Sequence, residues 1–375
     1  MAKITSYTKN NQTFWMWKGY LGTVDGRKIV NEKHGFTSEP KAIKDFEMAK
    51  AEFITGINTH NESKLSFESV ANDWLDQYEN TVQPSTFLKV ENQFKLHIIP
   101  AFKRKQIADI TISDVQKVVN GWFKEFTKYR EFKNNVNRVF KYALNQRMIT
   151  VNPVDSIIVP RPKNVITEDK PDNFYEKSEL ELLLSAIDND KIMVALRILA
   201  FTGLRKGELL ALRWSDIDLN NATLDVKRAI TRTSNGLEFG PTKNKQSVRT
   251  IDIDPITLKI IKHWKTAQKA ELLKLGLKPV KEQLVLSSKS NGILSPSKPG
   301  KWLNATADRV ELKHITVHGM RHTHASLMFE SGISIKEAQV RLGHSSYQTT
   351  ADIYTHVTKK QKMETGKKFA EYVNF

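Results

Sequence analysis

The sequence predicts a multidomain protein that is mainly α-helical with small β-sheets. In the first 35 residues, aromatic and β-branched side chains alternate with polar ones, as in strands. Between about residues 67 and 150 the apolar residues recur with the helical period instead. Beyond a proline-interrupted stretch at 159–171, helix-like and strand-like segments follow one another, as in an α+β domain. These patterns predict three domains, at residues 1–62, 63–165 and 166–375.

The charge balance indicates a polyanionic partner. The chain has 58 lysines and arginines against 41 aspartates and glutamates, a formal charge of +17. Nucleic acid fits this charge best, and an anionic membrane surface second. No apolar run is long enough to span a membrane and the N-terminus lacks the apolar core of a signal peptide, so we expect no membrane partner. The absence of cysteine excludes disulfides and thiolate metal sites and makes a reducing cytoplasm the expected location.

The first domain is predicted to be a three-stranded sheet on one helix. An Asp25-Gly26 turn indicates a hairpin, and a helix follows over about residues 38–56. Two interpretations of Trp15 and Trp17 stay open: both rings pack on the helix, or the outer face of the sheet docks in a DNA groove. The DNA-binding candidates of this domain are Trp15, Trp17, Arg27 and Lys28.

The second domain is predicted to be a compact four-helix module. The pattern Ser113-x-x-Gln116 is typical of a capping box and is expected to open its third helix. The polar faces of the module are rich in lysine and arginine. Such charges often form a solvated face, but the overall charge makes phosphate contact an equal alternative. The candidates for that contact are Lys89, Lys95, Arg138 and Lys141.

The third domain is predicted to mix helices and strands. Ser178 is expected to cap its first helix, and Gly203 to end the nearly apolar second helix. A third helix would hold Arg205 in its first turn, and a strand would follow over residues 223–230. Residues 239–253 are expected to form a ribbon with lysines at its tip.

The stretch 318–354 concentrates arginines and histidines ahead of a tyrosine. His318, Arg321 and His322 are spaced i, i+3 and i+4, so on one helix their side chains share a face. A glycine is expected to end the next helix and present His344. Guanidinium and imidazole groups on a common face are suited to binding an anion such as phosphate.

Three interpretations of these histidines compete. His318 and His322 have the spacing of zinc ligands, but Gly319 stands where the zinc motif needs a general-base glutamate. Other histidines, with His324 and His356 as candidates, would bind carbonyl groups for structural reasons. The third interpretation is phosphoryl transfer, with a tyrosine as nucleophile and guanidinium groups that neutralise the charge on phosphorus.

Four motifs carry a resemblance to a known family. They are residues 202–209, His318-x-x-Arg321-His322, Leu342-Gly343-His344 and Tyr354, in that order. Together they resemble the tyrosine recombinases, specifically the integrases of phages and conjugative transposons. The resemblance covers about residues 175–375. It implies a tyrosine-recombinase catalytic domain of the α+β class, preceded by an arm-binding domain and a helical core-binding domain.

The resemblance implies a role for each matching residue and no cofactor. Arg205 and Arg321 would clamp the scissile phosphate, while Tyr354 would attack it and form a 3′-phosphotyrosine. His318 and His344 would bind the phosphate and assist proton transfer. The general acid would be Lys243, which follows Pro241-Thr242 as in the family, with Lys245 as the alternative. The supporting residues would be Glu208 and His322.

The resemblance also implies partners. They are double-stranded DNA with core and arm attachment sites, three further copies of the chain in a homotetramer, and accessory DNA-bending or directionality proteins, at the nucleoid of a bacterial cell. The C-terminal tail would pack on its own domain or on a neighbouring protomer. Alternative functions are a type IB topoisomerase and a non-catalytic DNA-binding regulator. The full set of catalytic residues argues against the regulator.

Overall fold

The computed structural model describes residues 2–9, 12–24, 27–54, 65–103, 105–162, 172–242, 245–353 and residue 373. The chain divides into two compact units, residues 1–163 and 164–375. The further division of the first unit into two domains stays a prediction. Within the described ranges, no helix is long and apolar enough to cross a membrane.

The first unit begins with an antiparallel sheet in the order β1-β2-β3. Its strands are β1 (Ala2–Lys9), β2 (Gln12–Val24) and β3 (Arg27–Phe36), and helix α1 (Glu39–Ile54) follows. The helix packs on one face of the sheet because Leu21 and Ala42 are buried together between them. Residues 25 and 26, the predicted turn, lie outside the described residues.

Both tryptophans of this sheet pack on the helix side. Trp17 is 1% exposed, lies edge-on against Phe46, and donates a hydrogen bond from Nε1 to Asp45 Oδ1 at 2.9 Å. Trp15 is partly buried against the same apolar cluster. The core-packing interpretation therefore describes the tryptophans, and the ring of Trp17 is not presented at the surface as a DNA-binding role would require.

A helical module completes the first unit. Its helices are α2 (Phe67–Glu79), α3 (Pro84–Gln93), α4 (Ile99–Phe102), α5 (Ile112–Glu125) and α6 (Tyr129–Asn145), with a π-helical turn over Phe94–Ile98 between α3 and α4. One apolar cluster fills the space between them, and Phe67, Phe94 and Phe140 are completely buried in it. The predicted helical module is thus present.

The predicted capping box of its third long helix was wrong by two residues. Thr111 caps α5, and its side chain accepts from the backbone N–H of Asp114, whose carboxylate accepts from the N–H of Thr111 at 3.0 Å. Gln116 cannot serve as a cap because its side-chain amide exchanges two hydrogen bonds, each of 2.8 Å, with the backbone of Ile158.

The second unit surrounds the buried helix α8 (Asp190–Thr202). The other helices are α7 (Lys177–Ser185), α9 (Lys206–Ala211), α10 (Pro255–Lys274), α11 (Lys298–Arg309), α12 (Val317–Glu330) and α13 (Ile335–Leu342). One small sheet has the order β4 (Ile217–Asp218), β5 (Thr223–Val226), β8 (Arg249–Asp252). The other pairs β6 (Arg228–Thr233) with β7 (Gly236–Pro241).

Two local predictions for the start of this unit need correction. Glu176, not Ser178, caps α7, because Tyr175 is anchored in front of it by a 2.9 Å hydrogen bond from its N–H to Thr323 Oγ1. Arg205 does not lie in the first turn of α9. It is the extended N-cap residue just before that turn.

The predicted strand 223–230 and the lysine-tipped ribbon also differ from the structure. The strand divides at Lys227, since β5 pairs with β8 whereas β6 pairs with β7. The turn between β6 and β7 contains Asn235 and is closed by Gly236 in the left-handed region, with φ 113°. In the sequence, positions 243 and 245 therefore come after β7 and before β8, not between the two paired strands of this ribbon.

The N-terminus of α12 is fixed by the chain segment that enters the unit. Asn173 donates from its side-chain amide to Thr316 Oγ1 at 3.0 Å and accepts from the Thr316 N–H at 2.8 Å. Thr316 in turn caps α12 by accepting from the N–H of Gly319. A Cβ atom at Gly319 would lie 2.6 Å from the Asn173 carbonyl oxygen, so only glycine allows this close approach.

We expect Gly319→Ala to lower the free energy of unfolding by about 1–3 kcal/mol, because the added methyl group overpacks a rigid backbone contact. Gly300 is the matched control: it is also the third residue of a helix, and a Cβ there would meet only Val317 Cγ2, at 3.5 Å. Gly300→Ala should be neutral or stabilising by up to about 1 kcal/mol. Urea denaturation of the full chain measures both values, and equal effects would contradict the packing described.

Candidate active site

Arg205 lies where α8 ends and α9 begins. Gly203 ends α8 in the left-handed conformation with φ 63°, and the chain then turns so that Arg205 faces α13. Its Nη1 donates to Glu208 Oε1 at 2.9 Å and to Ser247 Oγ at 3.1 Å. Its Nη2 donates to the carbonyl of Gly343 at 3.2 Å. The guanidinium group is therefore held in one orientation by three elements.

Arg321 lies on the inner face of α12 and is only 1% exposed. Its Nη1 donates to the Gly203 carbonyl at 2.8 Å and its Nη2 to the Leu342 carbonyl at 2.6 Å. Within the described part of the chain its buried Nε has no hydrogen-bond partner. Burial, followed by the positive charges of Arg205 and Arg249, lowers the pKa of Arg321 to about 9, so the group stays protonated near neutral pH.

Glu208 balances part of this positive charge. Its side chain is 3% exposed and accepts from Arg205 on one oxygen and from Arg249 Nη2, at 3.1 Å, on the other. Burial alone would raise the pKa of Glu208, but the charge of Arg249 and the hydrogen bonds from both arginines outweigh it and lower that pKa. We call Arg205, Glu208, Arg249 and Arg321 the arginine cluster.

Two predicted histidines are neutral beside this cluster. His318 is exposed, with its ring edge-on to His322 at 4.8 Å between centroids. His344 follows Gly343, the left-handed end of α13, and its Nδ1 is hydrogen-bonded to Thr350 Oγ1 at 2.9 Å. Loss of part of the ring hydration, followed by neighbouring cationic side chains, lowers the pKa of His318 to about 4 and that of the more deeply buried His344 to about 3. Each ring therefore keeps one nitrogen able to accept a proton or a hydrogen bond.

Two predicted catalytic residues, Lys243 and Tyr354, lie outside the described residues, and so does the side chain of Lys245. Two described residues near these positions in the sequence have contacts in the site or in its core. Ser247, at the end of the lysine segment, touches Arg205, and Ile353 packs against the apolar cluster that buries Leu342. The roles of Lys243, Lys245 and Tyr354 remain predictions.

The remaining histidine prediction concerns structure. His324 Nδ1 donates to the Ala200 carbonyl at 2.8 Å, and its Nε2 accepts from Arg341 Nε at 3.1 Å, so His324 joins helices as expected. His356 lies outside the described residues. Among the described residues, no group of three or more metal-ligating side chains is found.

Three residues of the site were missed at the level of sequence. Arg249 and Ser247 contact the predicted Arg205–Glu208 pair, and Thr350 holds the ring of His344. Arg249 and buried Ile251 are two residues apart in a short strand and so share its inner face. An arginine at such a position is usually solvent-facing, so its residue type gave no sign of burial.

The DNA-binding candidates of the first unit differ in their surroundings. Lys89 is paired with Glu131 at 2.7 Å, and Arg138 lies over the ring of Tyr78. Lys28, Lys95 and Lys141 are exposed, and the side chain of Arg27 lies outside the described part. All of these assignments remain predictions.

Comparison with known proteins identifies the relatives of this chain. Residues 173–361, just over half of the chain, match the phage integrase family. The chain belongs to this family. Residues 66–123 also match the N-terminal SAM-like domain of phage integrases. A tyrosine recombinase XerC-like protein of Caldanaerobacter subterraneus subsp. tengcongensis is 28% identical to this chain, over 96% of this chain and 97% of the relative.

Solved integrase structures have the same fold. The integrase of transposon Tn1549 in complex with a circular intermediate DNA is 20% identical, with a TM-score of 0.63 over 77% of this chain and 94% of that one. A lambda integrase tetramer bound to a Holliday junction is 19% identical, with a TM-score of 0.55 over 91% and 95% of the two chains. The predicted fold class is confirmed, and so is the prediction of a tyrosine-type site-specific recombinase.

The hydrogen bonds of His324 predict a pH effect on stability. Protonation of His324 would place an Nε2–H against the Nε–H of Arg341. Burial, followed by the positive charge of Arg341, therefore lowers the pKa of His324 to about 3 from its ordinary 6.5. The unfolded chain therefore takes up this proton first, and stability falls as the pH drops below about 6.5.

We expect wild type to lose about 2 kcal/mol more unfolding free energy between pH 7 and pH 5 than His324→Asn, which has no titrating group at this position. Asparagine keeps a donor for the Ala200 carbonyl, so the variant should fold. Urea denaturation at both pH values makes the comparison. Parallel pH dependence of the two proteins would show that His324 is not held neutral.

Proposed function

We propose that this enzyme cuts and rejoins double-stranded DNA through a 3′-phosphotyrosine at Tyr354, to integrate or excise a phage or other mobile element. The observation that supports this most is the pair of guanidinium groups, Arg205 and Arg321, fixed beside two neutral imidazoles. Fixed donors in a partly buried site stabilise charge that develops on phosphorus without further reorganisation.

The charges of the described cluster suit a phosphoryl transition state. Arg205, Arg249 and Arg321 supply three positive charges and Glu208 one negative charge, which leaves an excess of two. A phosphodiester carries one negative charge, and attack by a tyrosine oxygen brings a second. The cluster therefore gains more from the transition state than from bound DNA, which is the condition for catalysis.

The proposed chemistry needs one proton acceptor and one proton donor. A tyrosine hydroxyl has an ordinary pKa of about 10, so attack requires a nearby proton acceptor. The neutral rings of His318 and His344 would assist this transfer once the negative charge of a bound phosphate raises their pKa values. Tyr354 Oη would bond to phosphorus as the bond to the 5′-oxygen breaks. Lys243, or Lys245, would protonate that leaving oxygen. A second 5′-hydroxyl then reverses the step and displaces the tyrosine, so rejoining consumes no external energy source.

We also propose that the enzyme acts as a homotetramer on two attachment sites, each with core and arm sequences. The lambda integrase tetramer on a Holliday junction and the Tn1549 integrase on circular intermediate DNA support this by their shared fold. The exposed basic residues Lys28, Lys95 and Lys141 would contact phosphates. With such a substrate the enzyme would act at the bacterial nucleoid, and accessory DNA-bending or directionality proteins would join the complex there.

Tyr354→Phe should abolish covalent attachment to DNA. The test is incubation with nicked duplexes that carry the attachment site and release the cleaved end, followed by denaturing electrophoresis to detect protein–DNA adducts. Wild type should form the adduct, and Tyr354→Phe should form none because phenylalanine has no nucleophilic oxygen.

Tyr347→Phe is the matched control, since Tyr347 is a tyrosine seven residues upstream with a half-exposed side chain. This variant should form the adduct at the wild-type rate. Adduct formation by Tyr354→Phe, or its loss in Tyr347→Phe alone, would contradict the proposed nucleophile. Transfer of the attached strand to a partner site, rather than relaxation of one duplex, separates a recombinase from a topoisomerase.

A further inference from the structure

Arg249 has no predicted catalytic role, yet its guanidinium group lies inside the arginine cluster. The side chain is 6% exposed. Its Nε donates to the Arg341 carbonyl at 2.8 Å, its Nη1 to the Ser247 carbonyl at 2.9 Å, and its Nη2 to Glu208 at 3.1 Å. All three guanidinium nitrogens are thus directed at protein atoms, so Arg249 is not arranged to bind a phosphate itself.

The packing around Arg249 is close as well as polar. A Cβ atom at Gly343 would lie 3.1 Å from Arg249 Cδ and 3.2 Å from its Nη1. Gly343 is the residue before His344, and its carbonyl also accepts from Arg205. Arg249 therefore touches the turn that presents one catalytic candidate and the carboxylate that orients another.

The contact between Arg249 and Glu208 affects Arg205, because Glu208 is negatively charged. A buried carboxylate attracts any cation within a few ångströms, and Arg205 Nη1 is only 2.9 Å from it. Without a second cation, Glu208 would neutralise Arg205, and one of the two phosphate-binding charges would be lost. With Arg249 in place, the carboxylate has its own counter-ion, and Arg205 keeps its charge for an incoming phosphate.

We infer that Arg249 is a positioning residue that neutralises Glu208 and so leaves the positive charges of Arg205 and Arg321 available to the transition state. This inference rests on the proposed cleavage chemistry. A purely structural arginine would be needed for folding only. If the arginine balances charge, its loss should slow adduct formation less when the charge of Glu208 is also removed.

The test is a double-mutant cycle on the rate of covalent adduct formation with the nicked duplex, at saturating protein. Arg249→Met should slow adduct formation by about 100-fold, the effect of losing one transition-state charge contact. Affinity for the intact duplex should fall by far less than the rate, because the cleaved phosphate is one of many phosphate contacts. The double variant Arg249→Met, Glu208→Gln should form the adduct at least about tenfold faster than Arg249→Met alone, because it no longer has the uncompensated carboxylate.

Arg197→Met is the matched control. Arg197 is also largely buried, pairs with Asp254 at 3.2 Å in the same unit, and lies outside the arginine cluster. This variant should lose thermal stability but form the adduct at the wild-type rate when folded. Circular dichroism and gel filtration establish folding for every variant.

The adduct assay separates failure of the proposed function from failure of the inference about Arg249. If wild type forms no adduct, the proposed function fails before Arg249 is tested. If wild type forms the adduct and Arg249→Met does so equally fast, or if Glu208→Gln gives no recovery, the inference about Arg249 is overturned. Should Arg249→Met fail to fold, Arg249→Lys replaces it. Lysine keeps the charge, so the folded variant should stay within about tenfold of wild type, and a 100-fold loss would count against charge balance.

Discussion

The site is built around one buried carboxylate. Three guanidinium groups brought together inside a protein repel one another and lose hydration, and a buried charge of this kind persists only when it is paired. Glu208 contacts Arg205 and Arg249 directly and lowers the cost of keeping Arg321 charged beside them. Backbone carbonyls at Gly203, Leu342 and Gly343 complete the shell. The ends of α8 and α13 are therefore placed where they are partly by the arginines they hold.

The proposed function depends on the hydrogen-bond donors of the guanidinium groups that the protein leaves unused. The carbonyl groups and Glu208 fix each guanidinium group but do not use every donor, and the Nε of buried Arg321 has no partner among the described residues. Lost hydration, followed by the same positive charge, holds His318 and His344 neutral, which leaves each ring with one unprotonated nitrogen. One arrangement thus supplies the positive charge and the proton acceptors that phosphoryl transfer to a tyrosine requires.

Much of the fold and of the site could be predicted because the sequence patterns that indicate them are local. The helical period placed His318, Arg321 and His322 on one helix, and the left-handed preference of glycine correctly ended α8 at Gly203 and α13 at Gly343. The remainder depends on tertiary contacts. Arg249 reaches the site from a strand and Thr350 from a helical segment, residues 347–353, and neither sequence says anything of these partners. The division of 223–230 into two strands follows from competing pairing with β7 and β8. Caps at Thr111 and Glu176 were missed since Ser113 and Ser178 offered equally good local patterns.

The most direct measurement is a crystal structure of the protein with nicked attachment-site DNA and vanadate, an ion that adopts the geometry of pentavalent phosphorus. We expect vanadate between Tyr354 Oη and the 5′-oxygen, with Arg205 and Arg321 both donating to its equatorial oxygens and Arg249 still bound to Glu208. Vanadate held by only one of these two arginines, or Arg249 turned from Glu208 onto the vanadate, would contradict it.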